Sequence, residues 1–301
     1  MVSPPFIKAG DKVGVAAPGR KISIEEFKAA ANVMLSWGVE LVQAPNMFSN
    51  AHSYLAGTDP ERIADFQNLI EDPNIKAIIC ARGGYGMTRI LDNIDFSNLL
   101  KYPKWIVGFS DITAMHLRLA KLGIHSIHGT MPVLFSRTDS SPSVESLWSV
   151  LKGDQKVLAV PPDKMNRHGV ATGQVIGGNL SLVADAIGTS NDPDTSDKIL
   201  VLEEIEEYTY KIDRMLMHLI RSGKMNNLAG LVVGHMTDIK EPELPFGQSV
   251  KEIIMEKVSA LGYPVSFNFP IGHENPNLAW IHGSLMTLSV AETGSQLAPA
   301  Y

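Results

Sequence analysis

A serine lies between an apolar run and a helical pattern in the segment 108–113, GFSDIT. A serine at the tip of a strand, with a helix beginning one residue later, occupies the position of a nucleophile elbow, in which a sharp turn exposes the hydroxyl group. The helix N-terminus would add amide donors and positive potential for a developing oxyanion. The pattern is G-x-S-D rather than G-x-S-x-G, so the alternative is that Ser110 or Asp111 only caps the helix.

A glycine cluster follows the apolar run Ile75–Cys80 and consists of Arg82, Gly83, Gly84, Tyr85 and Gly86. Ligands of parallel sheets gather at the carboxyl ends of the strands, where glycines let a ligand approach the backbone and let amides face an anion. The cluster is neither a Walker loop nor a G-x-G-x-x-G motif, so a nucleotide-binding module is not favoured. The alternative to a ligand-binding loop is a tight turn with positive φ.

Carboxylates and one histidine mark two more segments. The run 203–207, EEIEE, directly follows a predicted strand at 199–202. Such a run is usually a solvated surface, but its first member, Glu203, is the best placed to face a site. His273 lies in the loop 270–277, PIGHENPN, and loops on rigid scaffolds often carry functional residues. The chain lacks H-E-x-x-H and has one cysteine, so we expect neither a metal centre nor a cofactor.

Short apolar runs alternate with helical patterns in the first half of the chain. Strands are predicted at 12–17, 39–42, 75–80 and 105–109, and helices at 23–37, 58–70 and 111–121. This alternation requires crossover connections and predicts a mainly parallel sheet covered by helices, which is the α/β class. In the second half, strands are predicted at 199–202, 228–233 and 286–290, and helices at 212–220 and 250–258.

Pro, Ser, Asn and Gly residues interrupt this rhythm between about 138 and 168. We interpret 141–168 as a linker between an N-terminal domain, 1–140, and a C-terminal domain, 169–301. The length of 301 residues favours two domains, since a domain averages ~150 residues. Cys80 ends a predicted buried strand, so we expect an unreactive core thiol.

The charge and hydropathy of the chain argue against nucleic acid and membrane as partners. Lys and Arg number 26 against 32 Asp and Glu, a net charge of −6, which does not suit a non-specific nucleic-acid binder. No apolar stretch approaches the ~20 residues that span a bilayer, and the N-terminus has no secretory signal pattern. We therefore expect a cytoplasmic protein that binds neither nucleic acid nor membrane.

Together these segments resemble the LD-carboxypeptidase family of serine peptidases, which includes the muropeptide LD-carboxypeptidases and the microcin C self-immunity peptidases. The matching segments span nearly the whole chain and are 10–18, 81–86, 108–113, 177–180, 202–204, 210–216 and 272–273. Each is weak alone, whereas their order and spacing are specific. The resemblance implies an N-terminal, mainly parallel sheet flanked by helices, a smaller β-rich C-terminal α/β domain, and an active site at their interface.

The family uses a Ser–Glu–His triad. The resemblance places the nucleophile on Ser110, the orienting carboxylate on Glu203 and the general base on His273. Glu204 is the main alternative to Glu203, because the two carboxylates are adjacent.

The resemblance also implies oxyanion donors and substrate contacts. The backbone amides of Gly84 and Asp111 would hold the oxyanion. Substrate contacts are expected from Arg82, Gly83, Tyr85 and Arg214. A substrate that ends in a carboxylate needs a cation to hold it, and Arg82 and Arg214 are the candidates.

The substrate class of the family is a peptide with an L-centre followed by a terminal D-amino acid. The muropeptide members release D-Ala from tetrapeptides during cell-wall recycling in the cytoplasm, and family members are often homodimers. The alternative is the immunity type, which hydrolyses peptidyl or aminoacyl nucleotide amides. The segment 178–199 holds no Trp, Tyr or Phe to stack on an adenine, which favours the muropeptide type. A non-catalytic binding protein is disfavoured, because Ser110, Glu203 and His273 are all present.

Overall fold

The computed structural model describes residues 1–300, and the chain divides into two compact units. The first unit comprises Met1–Gln155 and Leu278–Ile281, and the second comprises Lys156–Asn277 and the segment that begins at His282. The strands are β1 Lys12–Ala16, β2 Glu40–Gln43, β3 Ile75–Cys80, β4 Trp105–Gly108, β5 Ser126–His128, β6 Leu158–Val160, β7 Gly169–Asn179, β8 Lys198–Ile205, β9 Gly230–Thr237, β10 Val265–Ser266, β11 Trp280–His282, β12 Leu285–Ala291 and β13 Gly294–Pro299. The α-helices are α1 Ile24–Ser36, α2 Asp59–Glu71, α3 Met87–Ile90, α4 Ser97–Lys101, α5 Thr113–Lys121, α6 Ser141–Leu151, α7 Leu180–Asp185, α8 Thr209–Arg221 and α9 Val250–Val258.

The sheet of the first unit has the strand order β11-β5-β4-β3-β1-β2. Strands β2, β1, β3, β4 and β5 are all parallel to their neighbours. Every residue of β4 is buried, and so is all of β3 except the half-buried Lys76, as expected of a parallel sheet covered on both faces. Cys80 is buried in this sheet, and burial raises the pKa of its thiol.

The first two long helices of this unit begin at capping boxes. Ser23 and Glu26 form one at α1, and Thr58 and Glu61 form the other at α2. In each box the hydroxyl accepts the backbone N–H three residues later, and the glutamate accepts the backbone N–H of the cap. These signals, followed by an apolar stripe, explain why both helices begin where the sequence predicts.

The sheet of the second unit has the order β10-β9-β8-β7-β12-β13-β6. Strands β10, β9, β8 and β7 are parallel, whereas β7, β12, β13 and β6 are antiparallel. The parallel half places the carboxyl ends of β8 and β9 at one edge, the usual ligand edge of such a sheet. Within residues 1–300, no helix is long and apolar enough to cross a membrane.

Residues 141–168, predicted to form a linker, instead contain a helix and a strand. Residues Ser141–Leu151 form α6, which belongs to the first unit and buries Val144, Leu147 and Leu151. The Ser-Pro pair that suggested a loop lies at the helix start, where proline is favoured because its missing N–H is not needed. Strand β6 then pairs with β13 in the second unit.

Candidate active site

Ser110 lies at the turn between β4 and α5 with a left-handed backbone, φ 62°. A positive φ is uncommon for a residue other than glycine, and the strained turn of a nucleophile elbow produces it. Gly108 permits the turn, because a Cβ there would lie 2.8 Å from the Ile112 side chain. A 3₁₀ turn, Ser110–Ile112, then leads into α5. The local geometry is therefore that of the elbow, rather than of a simple helix cap.

The glycine cluster packs directly against this turn. A Cβ on Gly83 would lie 3.3 Å from the Cβ of Ser110 and 3.4 Å from the carbonyl oxygen of Phe109. Gly84 is exposed and has φ 95°, a conformation that favours glycine. The glycine cluster thus contacts the Ser110 turn through Gly83. Gly84 and Asp111 are the next residues in the chain after Gly83 and Ser110.

The side chain of Asp111 connects the serine turn to the end of the glycine cluster. It is 1% exposed, and its Oδ2 accepts the backbone N–H of Met87 at 2.9 Å. Burial raises the pKa of Asp111 to about 6, against the opposing hydrogen bonds from Met87 and Gly86 and the charge of Arg62. The sequence indicates only an amide donor or a helix cap at Asp111, because the partner loop lies in a different segment of the chain.

Asp111→Asn is expected to remove a pH dependence of stability. The pKa rises from 3.8 to about 6 on folding, so the folded state binds more protons and its stability falls as pH rises between these values. The fall is on the order of 3 kcal/mol, at about 1.4 kcal/mol per pKa unit. We would measure urea unfolding of both proteins from pH 3.5 to 7, with the exposed Asp139→Asn as control. A stability difference between wild type and Asp111→Asn that is constant with pH would contradict this account.

The carboxylate pair in the second unit lies within β8, which extends to Ile205 rather than ending at Leu202 as predicted. The pairing of β8 with β9 shifts register between Leu202 and Glu204. Glu203 is 0% exposed and Glu204 is 2% exposed, so neither belongs to the solvated surface that such a run usually forms. The irregular pairing and the burial of both carboxylates therefore occur at the same point of β8.

Glu203 contacts His273. Its Oε2 lies 2.7 Å from His273 Nδ1, while its Oε1 is buried without a hydrogen-bond partner among residues 1–300. Gly272, with φ 126°, lets the histidine loop approach, because a Cβ there would lie 2.9 Å from Glu203 Oε2. Burial lowers the pKa of His273, but the charge and hydrogen bond of Glu203 outweigh it and the pKa is raised. The pair is a histidine oriented by a carboxylate.

Glu204 has a different set of partners. Its Oε1 accepts the side-chain amide of Asn179 at 2.8 Å, and its Oε2 accepts the backbone N–H and hydroxyl of Ser181 at 2.8 and 2.6 Å. Burial raises the pKa of Glu204 against the hydrogen bonds from Ser181, Ile205 and Asn179. Its contacts join β8 to the start of α7, which is a structural role.

His235 also supports the histidine loop, and sequence reasoning assigned it no role. It lies near the end of β9, which continues past the predicted end at Val233 to Thr237. Its Nδ1 accepts the backbone N–H of Glu274 at 3.2 Å, and burial lowers its pKa. His235 and Glu274 line a cavity of about 570 Å³ in the second unit.

Three of the side chains predicted to contact substrate lie in different parts of the structure. Arg82 lines a cavity of about 470 Å³ in the first unit. Tyr85 is 51% exposed on the glycine cluster and hydrogen-bonds Arg89. Arg214 is exposed on α8 of the second unit, with its guanidinium 5.7 Å from the ring centre of Tyr210. No group of three or more His, Cys, Asp or Glu side chains in residues 1–300 is arranged to hold a metal ion.

Comparison with known families covers both halves of the chain. Residues 13–129 match the N-terminal domain of the LD-carboxypeptidases, peptidase family S66, and residues 172–288 match their C-terminal domain. The chain belongs to the LD-carboxypeptidase family. It is therefore a peptidase, and the family and the two-domain α/β fold predicted from the sequence are confirmed.

Two relatives of this LD-carboxypeptidase and one solved structure have names that refer to cell-wall peptides. It is 32% identical to the probable murein peptide carboxypeptidase of Bacillus subtilis over 294 residues, which cover 96% of this chain and 92% of the relative. It is 30% identical to the murein tetrapeptide carboxypeptidase of Pseudomonas aeruginosa, with 92% of each chain covered. The crystal structure of muramoyltetrapeptide carboxypeptidase from Oxalobacter formigenes matches with a TM-score of 0.87 and 30% identity, covering 96% of this chain and 99% of that one.

Proposed function

We propose that this LD-carboxypeptidase is a serine enzyme that cleaves an L–D peptide bond and releases terminal D-Ala from muropeptide tetrapeptides. The names of its relatives support the substrate class. The observation that carries the chemistry is the contact of the buried Glu203 with the half-buried His273, because a base oriented by a carboxylate is what an acyl-transfer mechanism requires.

In the proposed acylation step, Ser110 Oγ attacks the scissile carbonyl carbon while His273 Nε2 takes its proton. The backbone amides of Gly84 and Asp111 donate to the oxyanion that forms. The C–N bond then breaks, and His273 returns the proton to the leaving amine of D-Ala. Glu203 accepts the Nδ1–H of His273, which keeps Nε2 available as the base and stabilises the imidazolium.

Deacylation repeats the same steps with water. His273 takes a proton from a water molecule, which attacks the ester carbon of the acyl group on Ser110. The ester bond breaks, and the proton returns to Ser110. The products are the shortened peptide with a new carboxylate and the regenerated enzyme.

The proposed substrate contacts surround the reacting bond. Gly83 and Tyr85 flank the donor Gly84, and their small or exposed character leaves room for a peptide. Arg82 and Arg214 each carry a guanidinium that would suit a carboxylate of the substrate.

Mass spectrometry of a muropeptide tetrapeptide incubated with the protein tests this function. Loss of one D-Ala with no other cleavage is the expected result. An intact tetrapeptide, together with hydrolysis of an aminoacyl sulfamoyl adenosine, would instead favour the nucleotide-amide activity.

We also propose a cytoplasmic homodimer, as the family resemblance implies for a cell-wall recycling enzyme. Light scattering coupled to size exclusion would report the mass in solution, and a monomer mass near 32.8 kDa would contradict the dimer. Fractionation of the source cells, with the chain detected in the soluble fraction only, is the expected result for the compartment.

A further inference from the structure

A cavity with an excess of cations adjoins the glycine cluster in the first unit. Its volume is about 470 Å³, and its lining includes Arg20, Lys21, Arg82, Glu25, Glu26 and Tyr54. The lining of this concave site therefore includes three cationic residues and two carboxylates. Such an excess of positive charge suits an anionic ligand.

The two arginines of this cavity differ in their partners. Arg82 is engaged within the protein, because its Nη1 donates to the carbonyl oxygen of Lys21 at 3.3 Å and lies 4.0 Å from Glu26 Oε1. Burial and the nearby charge of Arg20 lower the pKa of Arg82. For Arg20, by contrast, no carboxylate oxygen among residues 1–300 lies within 4.0 Å of the guanidinium. Arg20 therefore has no carboxylate in ion-pair contact, although its charge contributes to the lowered pKa of Glu26.

Arg20 is also held against the glycine cluster. Its backbone N–H donates to the carbonyl oxygen of Gly83 at 3.0 Å. A Cβ on Gly84 would lie 2.9 Å from the Arg20 Cβ and 3.4 Å from the Tyr54 hydroxyl. The Arg20 guanidinium lies 5.2 Å from the centre of the Tyr54 ring, within the range of a cation–π contact. Arg20 and Ser110 therefore flank two consecutive glycines of the same loop.

We infer that Arg20 binds the terminal carboxylate of the leaving D-residue. The inference rests on the proposed function, in which Gly84 donates to the scissile carbonyl oxygen. In the substrate, only the amide nitrogen and one Cα separate the scissile carbonyl carbon from that carboxylate. Its cation must therefore lie beside the oxyanion donor, where Arg20 is. A guanidinium can bind both carboxylate oxygens at once, which would make the enzyme an exopeptidase.

Steady-state kinetics on two peptides test this role. One is a muropeptide tetrapeptide ending in D-Ala, and the other is the same peptide ending in D-Ala carboxamide. Arg20→Gln should raise KM for the free acid by about 10- to 100-fold, the effect of losing a charged hydrogen bond, with little change in kcat. On the carboxamide, Arg20→Gln and wild type should agree. On the acid peptide, the KM of Arg20→Lys should lie between the KM values of wild type and Arg20→Gln. Arg221→Gln, a matched change at an exposed arginine of α8, should behave as wild type on both peptides.

The outcomes separate this role from the function itself. If the wild type prefers the acid and Arg20→Gln keeps the same preference, the inference is overturned while the proposed function stands. Equal cleavage of acid and carboxamide by the wild type also overturns it. If neither peptide is cleaved, the proposed function fails. Calorimetric binding of the acid peptide to Ser110→Ala, with and without Arg20→Gln, then decides: weaker binding without Arg20 supports the inference, and equal binding overturns it.

Discussion

Ser110→Ala is expected to lower kcat for D-Ala release by about 10⁶-fold, the size of effect seen when a serine nucleophile of a triad is removed. The acyl-enzyme cannot form without Oγ, so only binding and the oxyanion amides remain to assist direct attack by water. We would measure D-Ala release by mass spectrometry at enzyme concentrations above that of the substrate. Ser136→Ala, at an exposed serine of the same unit, should retain full activity. An activity in Ser110→Ala above a few per cent of wild type would remove Ser110 from its role.

Ser110→Gly separates loss of chemistry from loss of structure. The φ of 62° at Ser110 costs a residue with a Cβ roughly 1–2 kcal/mol, and glycine avoids this cost. Ser110→Gly should therefore be as inactive as Ser110→Ala and yet more stable to urea than wild type. A variant that is inactive and destabilised would indicate a damaged turn instead, and it would leave the nucleophile to be judged by Ser110→Ala.

The sequence was informative where local signals and tertiary packing agree. The capping residue Thr58 and the apolar stripe that follows predict α2 correctly, and the apolar run Ile75–Cys80 predicts β3. The sequence does not indicate strand β7, because its eleven residues include four glycines, which have low strand propensity. Its pairing with both β8 and β12 overrides that propensity. The sequence predicts a linker where α6 lies, because Ser and Pro are common both in loops and at helix starts.

In the candidate site, too, contacts between residues far apart in the sequence could not be predicted from local patterns. The spacing around Ser110 fits either an elbow or a simple helix cap, and the left-handed backbone of Ser110 distinguishes the two only in the structure. The hydrogen bond from the Met87 amide to Asp111 joins residues 24 positions apart, so no local pattern could indicate it. Glu203 and Glu204 are equivalent by residue type, and only the folded sheet determines that one contacts His273 and the other contacts Ser181.

Glu203→Gln and Glu204→Gln make the same chemical change at adjacent buried positions, and we expect opposite results from them. Glu203→Gln should lower kcat by about 10⁴-fold, the loss seen when the carboxylate of a triad becomes an amide. The amide can present an N–H to His273 Nδ1, which moves the ring proton to Nε2 and blocks that nitrogen as a base. Unfolding in urea should change little, because the side chain keeps its shape.

Glu204→Gln should instead cost stability and spare the chemistry. Its Oε2 accepts two donors from Ser181, and an amide nitrogen at that position would leave them without an acceptor. Losing a buried acceptor costs about 1–3 kcal/mol. We expect this loss in the free energy of unfolding measured in urea. We expect kcat to stay within about tenfold of wild type, a change of at most 1.4 kcal/mol in the activation barrier. A large loss of kcat in Glu204→Gln alone would reverse the assignment of the two carboxylates.

The pH profile distinguishes orientation of His273 from indirect damage. The base must be neutral, so kcat/KM falls as pH drops through the pKa of His273, which Glu203 holds above its ordinary 6.5. Replacing Glu203 removes the largest contributions that raise this pKa. Burial, which lowers it, then acts against only the smaller contributions of Glu204 and Glu206. The residual activity of Glu203→Gln should therefore persist to lower pH than that of wild type. The charge of Glu204 makes a smaller contribution to the same pKa, so the profile of Glu204→Gln should shift in the same direction by less. A reduced activity with an unmoved acidic limb would mean that Glu203 acts on the fold of the histidine loop and not on the proton.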